Sequence, residues 1–243
     1  MSRLTNDDFK LLVDFLRCYS LESVSSNSDF LKNLKMVHKG YFSLLVFSSE
    51  LTLNQAIGIN SEVLNRVNET CSDIVASILL LAHGMYKQAN MSLRSSIENF
   101  SKSIAYPECK NIIEDKSVFS VFEKTRSISL FSTLRLKDRY TDITSIYSDL
   151  CAYTHTANAS NMANISALNS IPKFDEGKCI EFINFSKKLL TCFLIIYTHL
   201  YRDRFFKFNL SNRDAVLHVL SPTERRHLRK VRISRSFLPK LTR

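Results

Sequence analysis

The stretch Leu79–Tyr106, LLLAHGMYKQANMSLRSSIENFSKSIAY, decides the fold that the sequence predicts. Glycine just past an apolar helical stripe is the usual residue for a left-handed helix cap, so His83 and Gly84 predict a helix end. Apolar residues then recur at helical spacing until Pro107, which disfavours the helical conformation in the residue before it. The stretch therefore predicts one helix that ends just before His83 and a second helix over residues 86–105.

The composition favours helices for the rest of the chain. A chain of 243 residues that is 45% hydrophobic can build a core, and four Gly and four Pro are too few for the many turns of a sandwich or barrel. We expect an all-α helical bundle of four to six main helices over residues 1–208, followed by a basic C-terminal extension over residues 209–243. Within the bundle, further helices are predicted over residues 30–47, 137–153 and 177–208, and a flexible polar loop over residues 156–170.

Cysteine usage and hydropathy indicate the compartment. The six cysteines are scattered, without a C-x-x-C pair and without a Cys/His spacing that suits zinc. We therefore expect free thiols in a reducing compartment, with no metal and no cofactor. The longest apolar run, Leu189–Tyr201, is interrupted by Thr and His and falls short of the roughly 20 residues that a membrane span needs. A soluble cytoplasmic protein is the expectation.

The formal charge of +10 is concentrated at the C-terminus, where residues 221–243 hold eight Arg or Lys and one acid, Glu224. The tetrapeptide SPTE at 221–224 is a capping box with Pro at the first helical position, which predicts a helix from Thr223 to about Val231. A basic helix followed by a basic end binds phosphate backbone through counterion release. RNA or DNA is therefore the favoured partner, and an acidic protein or a merely solvated tail are the alternatives. The residues predicted to bind nucleic acid are Arg225, Arg226, Arg229, Lys230, Arg232 and Arg235.

Two groups of ionisable residues fall on predicted helices. Arg94 and Glu98 are i, i+4 neighbours, which alone indicates an ion pair on a helix surface worth about 0.2–0.5 kcal/mol. Tyr147, Cys151 and His155 share one helix face at i, i+4 and i+8. A single His at a helix end is usually a cap or a core residue. Neither group by itself indicates a site.

Taken together, the two groups match a pattern. In this pattern, a helix begins just after a small residue and carries aromatic-x-x-Ala and then Arg-x-x-x-Glu. A segment further along the chain reads Tyr-x-x-Leu-x-x-x-x-His. The pattern resembles uncharacterised bacterial helical-bundle proteins near the HEPN superfamily, over roughly residues 60–205. The matching residues are Gly84, Tyr86, Ala89, Arg94, Glu98, Tyr147, Leu150 and His155.

The resemblance implies a bundle of four or five helices in which Arg94, Glu98 and His155 converge. HEPN proteins are often metal-independent ribonucleases or substrates of nucleotidyl transfer, and many belong to toxin–antitoxin or antiviral defence systems. Their usual signature places a His four to six residues after an Arg. In this sequence, Arg213 and His218 have that spacing.

Arg213 and His218 are open to two interpretations. A straight helix would hold them about 140° apart, so they would need a bend or a dimer partner to converge. If the pair is a real signature, His218 acts as general base on a ribose 2′-hydroxyl and Arg213 stabilises the transition state. Chance occurrence in an arginine-rich region is the alternative.

The basic C-terminus and the resemblance together suggest two functions. The first is a nucleic-acid-contacting accessory or effector component of a bacterial antiviral defence or toxin-like system. Its bundle would serve as an interaction and homo-oligomerisation scaffold, with a possible protein partner in a defence complex. The alternative is a metal-independent HEPN-type ribonuclease, with either Arg94, Glu98 and His155 or Arg213 and His218 as the catalytic residues.

Overall fold

The computed structural model describes residues 2–18, 22–53, 58–154 and 174–230, and these contain helices, turns and loops but no strand. The protein is all-α, as the sequence predicted. The predicted loop over 156–170 lies outside the described residues. The helices are α1 (Arg3–Cys18), α2 (Glu22–Ser25), α3 (Ser28–Leu53), α4 (Ser61–Ala82), α5 (Tyr86–Ala105), α6 (Val118–Arg126), α7 (Leu134–Thr154), α8 (Glu176–Leu200), α9 (Arg202–Phe205), α10 (Leu210–Val219) and α11 (Pro222–Lys230).

Helices α4 and α5 form a hairpin with the predicted ends. The side chain of Asn60 caps α4 by accepting a hydrogen bond from the N–H of Glu62 at 2.8 Å. After α4, Gly84 has a φ of 69°, in the left-handed region, and its N–H donates to the carbonyl of Leu81 at 2.9 Å. The predicted bounds of the second helix, 86–105, are confirmed.

Helix α8 is the element around which the others pack. It contacts α3, α5 and α7, and nearly all its side chains over residues 189–199 are buried. The ring of Phe193 stacks on Phe100 of α5 with centroids 4.0 Å apart. The Tyr197 hydroxyl lies 2.7 Å from Ser103 Oγ, also on α5. In the described ranges, no helix combines the length and apolar character that crossing a bilayer requires.

The prediction of a single helix over residues 177–208 was wrong. At Tyr201 the backbone takes φ −106° and ψ 30°, and the chain turns into the short α9. This turn places the rings of Phe205 and Phe208 against Phe47 of α3, with centroid distances of 6.4 and 5.3 Å. Packing between segments far apart in the sequence therefore ends a helix that local propensity would continue.

Helix α3 extends beyond the predicted 30–47 and runs without interruption through Gly40. A Cβ built at Gly40 would lie 3.1 Å from Leu190 Cβ of α8. The missing side chain therefore lets α3 and α8 cross closely. Helix α7 likewise begins earlier than predicted, at Leu134 rather than near Lys137.

The first part of the predicted extension over 209–243 packs on the bundle. Ser43 of α3 donates its hydroxyl to the carbonyl of Ala215 at 2.9 Å. The buried Glu50 of α3 accepts a hydrogen bond from Asn212 Nδ2 at 2.6 Å. These contacts hold α10 against α3, and residues 231–243 lie outside the described chain.

Two buried histidines make the stability of this fold depend on pH. His38 of α3 and His199 of α8 are 2% and 5% exposed, and burial lowers the pKa of each below the ordinary 6.5. For His38, burial outweighs the opposing 2.6 Å contact with Asp8. Below about pH 6.5 the unfolded chain binds protons that the folded chain does not, so the free energy of unfolding should fall as the pH is lowered.

Replacing His199 by Gln should make the free energy of unfolding fall less as the pH is lowered, because an amide takes up no proton. His218→Gln, at an exposed position of α10, is the matched control and should keep the wild-type pH dependence. Urea denaturation at several values between about pH 5 and pH 8 measures the difference. An identical pH dependence in wild type and His199→Gln would contradict the prediction.

Candidate functional site

Helices α5 and α7 bring two predicted catalytic residues together with Tyr147. Arg94 and Glu98 lie one turn apart on α5 and form an ion pair, with Arg94 Nε 3.8 Å from Glu98 Oε1. Tyr147 of α7 donates its hydroxyl to the same Glu98 oxygen at 2.8 Å. The Arg94 guanidinium lies 5.6 Å from the centroid of the Tyr147 ring. The three side chains form a half-buried polar clamp between the two helices.

Cys151 extends this clamp, since Arg94 Nη1 lies 3.9 Å from its Sγ. Tyr147 and Cys151 therefore occupy one face, as the sequence predicted. His155 lies outside the described residues, so its place in the cluster stays a prediction. Burial, and then the bond to Glu98, raise the pKa of the Tyr147 phenol well above its ordinary value. The phenol is thus a hydrogen-bond donor at neutral pH and a poor general base.

Tyr147→Phe should lower the free energy of unfolding by about 1 kcal/mol, the usual contribution of one hydrogen bond. The ring would keep its edge contact with Phe122, whose centroid is 4.8 Å away. Tyr106→Phe, at a partly exposed position just after α5, is the control and should change the stability by less than about 0.5 kcal/mol. Chemical denaturation of both variants makes the comparison. Equal decreases in stability would show that the bond to Glu98 does not stabilise the fold.

A cleft of about 480 Å³ opens beside Glu98, between α5 and residues 113–121. The ammonium group of Lys102 donates to the carbonyls of Ile113 and Asp115 at 3.2 and 2.9 Å. Lys102 was not among the residues predicted from the sequence, although Arg94, Glu98 and Lys102 follow one another at i, i+4 and i+8. The charged residues of the lining are Glu98, Lys102, Glu114, Asp115 and Lys116.

The cleft is lined by both acids and bases. Asp115 Oδ2 accepts hydrogen bonds from Lys124 Nζ at 2.7 Å and from the Ser120 hydroxyl at 2.5 Å. The Lys124 bond and then the Ser120 bond lower the pKa of Asp115 to about 2. Because its lining carries charges of both signs, the cleft presents no strong field of one sign to a polyanion.

Arg213 and His218, the second predicted catalytic pair, lie on α10 and have separate partners. Arg213 Nη1 donates to the carbonyl of Phe206 at 3.1 Å. His218 Nδ1 lies 2.7 Å from the carbonyl of Asp214, one turn back on the same helix. Helix α10 is continuous from Leu210 to Val219, so no bend brings the pair together. A joint site would need a second copy of the chain.

Helix α11 is anchored to the bundle by its only acid. The capping-box prediction is half confirmed, because Ser221 Oγ accepts the Glu224 N–H at 3.2 Å. The Glu224 carboxylate instead contacts Arg135 of α7, and it also accepts from Arg139 Nη2 at 3.4 Å. Together with the buried Leu228, this ion-pair group fixes one face of α11.

The opposite face of α11 is basic and exposed. Arg226, His227 and Arg229 are exposed, and Arg225 is partly exposed. Lys230 is the last residue of α11, and the predicted phosphate ligands Arg232 and Arg235 lie outside the described residues. The anchoring of α11 therefore directs a row of cations towards solvent.

A metal ion needs several His, Cys, Asp or Glu side chains around one point. No such group of three or more occurs in the part of the chain that the structure describes. Comparison with known proteins gives no relative: no family model matches the sequence, and neither a curated protein nor a solved structure matches the chain.

Proposed function

We propose that this protein contacts nucleic acid, RNA or DNA, through α11 and residues 231–243. It would act as an accessory or effector component of a bacterial antiviral defence or toxin-like system, with the bundle as an interaction and homo-oligomerisation scaffold. The link to defence rests on the resemblance of residues 60–205 to HEPN-like proteins. The observation that carries the nucleic-acid proposal is the orientation of α11, whose acid faces the bundle and whose arginines face solvent.

The orientation of α11 matters because the net charge of its exposed face determines how strongly that face attracts phosphate. A carboxylate among the exposed arginines would cancel part of their charge and repel phosphate. Glu224 is buried against Arg135 and Arg139, so Arg226 and Arg229 keep their full charge towards a ligand. Each phosphate that such cations neutralise releases counterions, which makes the affinity depend on salt.

The test removes charge from the exposed face of α11. Arg226→Gln/Arg229→Gln in the full chain should weaken the binding of a fluorescent duplex, and the slope of log affinity against log salt should fall by about 0.9 for each phosphate that the variant no longer neutralises. Arg3→Gln/Arg17→Gln, two exposed arginines of α1, is the matched control and should leave the slope unchanged. Binding that is independent of salt, or equal slopes in both double variants, would overturn the proposal.

Residues 231–243 need a separate variant. Deleting them should leave α11 docked, because Glu224 and Leu228 remain, whereas a deletion from residue 221 would also expose the core around Leu228. We expect the shorter deletion to weaken binding to both RNA and DNA. Polyglutamate serves as an acidic-protein probe, and tighter binding to polyglutamate than to nucleic acid would identify an acidic protein partner instead.

The alternative function is a metal-independent HEPN-type ribonuclease. What favours it is the polar cluster of Arg94, Glu98 and Tyr147 beside a cleft. Incubation with labelled RNA in EDTA distinguishes the two functions, with His83→Ala as the control for removal of a partly exposed histidine. Cleavage that persists in His83→Ala but is abolished by His155→Ala or His218→Ala would show that the protein is a ribonuclease and would overturn the scaffold proposal.

A further inference from the structure

Helices α3 and α8 cross closely at Gly40 and Leu190, and two lysines flank this crossing. Lys39 directly precedes Gly40 and is partly exposed, while Lys187 lies one turn before Leu190 and is exposed. The close approach that the glycine permits thus brings cations from two helices to one place on the surface.

Helix α11 adds a third cation at this place. Arg225 Nε donates to the carbonyl of Leu220 at 3.0 Å, which fixes the guanidinium at the start of the helix. Burial lowers the pKa of Lys39, and the charges of Arg225 and then Lys187 lower it further. Arg225 and Lys187 therefore both lie close enough to Lys39 to repel its charge.

Three basic side chains at the neighbouring α7–α8 surface already have an acidic partner. Lys188 pairs with Asp142 at 2.9 Å, and Arg135 and Arg139 pair with Glu224. Lys39 and Lys187 form no ion pair with any residue that the structure describes. Cations that gather without a carboxylate are suited to an external anion, and a phosphate group accepts hydrogen bonds from several donors at once.

We infer that Lys39, Lys187 and Arg225 hold one backbone phosphate of a bound nucleic acid, so that the interface extends from α11 across the seam between α3 and α8. This inference rests on the proposed function. It adds a defined phosphate position on the bundle itself, where Lys39 and Lys187, from outside the basic C-terminal sequence, join Arg225 of α11.

Lys39→Gln/Lys187→Gln in the full chain tests the inference. The slope of log affinity for duplex DNA against log salt should fall by about 0.9, the value for one neutralised phosphate. Lys10→Gln/Lys110→Gln, which replaces an exposed lysine of α1 and another that follows α5, removes the same charge and should not change the slope. Because Lys39 is partly buried, Lys187→Glu alone provides a second variant, at a fully exposed position, that should also lower the slope.

Acetylation of the wild-type chain gives a readout that needs no substitution. Bound duplex should protect Lys39 and Lys187 from acetylation and leave Lys110 reactive. Protection by tripolyphosphate but not by duplex would overturn the assignment to nucleic acid. Wild-type binding with an unchanged slope in Lys39→Gln/Lys187→Gln overturns the inference but leaves the proposed function standing. A wild-type chain that binds no nucleic acid overturns both.

Discussion

Glu224→Gln should release α11 from the bundle and lower the free energy of unfolding. Removing one partner from a buried ion pair costs roughly 3–5 kcal/mol, and the exposure of the Arg135 and Arg139 side chains, 24% and 39%, reduces the expected effect to about 2 kcal/mol. Glutamine keeps the volume but not the charge, so Arg135 would lose its ionic partner and Arg139 would keep only Asp142, at 3.4 Å.

Urea denaturation and amide hydrogen exchange of residues 222–230 measure the two parts of this prediction. Glu123→Gln is the matched control, because Glu123 forms an exposed ion pair with Arg126 at 2.6 Å. Removing an exposed pair should cost less than about 1 kcal/mol and leave exchange in α11 unchanged. Equal decreases in stability in the two variants, with α11 still protected from exchange, would show that Glu224 is not the anchor.

Phe47→Ala should have the largest effect on stability of the substitutions considered. The Phe47 ring is fully buried and contacts Tyr197, Phe205 and Phe208, with centroids 5.3 to 6.4 Å away. Truncating such a residue leaves a cavity and costs about 3–5 kcal/mol. Because the contacts join α3 to the turn after α8, we also expect faster exchange over residues 201–208.

Phe119→Ala makes the same chemical change on α6 at a ring that is 76% exposed. It should alter the free energy of unfolding by less than about 0.5 kcal/mol. Thermal and urea denaturation of both variants gives the comparison. A Phe47→Ala protein as stable as Phe119→Ala would mean that the aromatic cluster does not hold the turn after α8.

The hairpin of α4 and α5 was predictable because its signals are local. Gly84 and Pro107 mark the helix ends in the sequence, and the structure places the second helix over the predicted residues. The end of α8 was not predictable in this way. Residues 201–208 contain neither Gly nor Pro, and the chain turns there because of contacts with Phe47 on another helix.

The same distinction between local signals and tertiary contacts applies to the candidate sites. Spacing alone paired Arg94 with Glu98, whereas the bond from Tyr147 depends on how α5 meets α7. For α11, the sequence indicated a helix and its cap, but the capping box assigned the Glu224 side chain a local partner. The carboxylate is used in a tertiary contact instead, which no pattern within residues 221–230 reveals.

The partial charges at the two ends of α11 are compensated by different side chains. Glu224 lies in the first turn, where the helix macrodipole is positive. At the other end, Arg202 donates from Nε to the carbonyl of Leu228 at 2.8 Å and from Nη2 to that of Arg229 at 3.3 Å. With both poles compensated, the potential along the exposed face is set by its side chains and stays positive up to the C-terminal carbonyls.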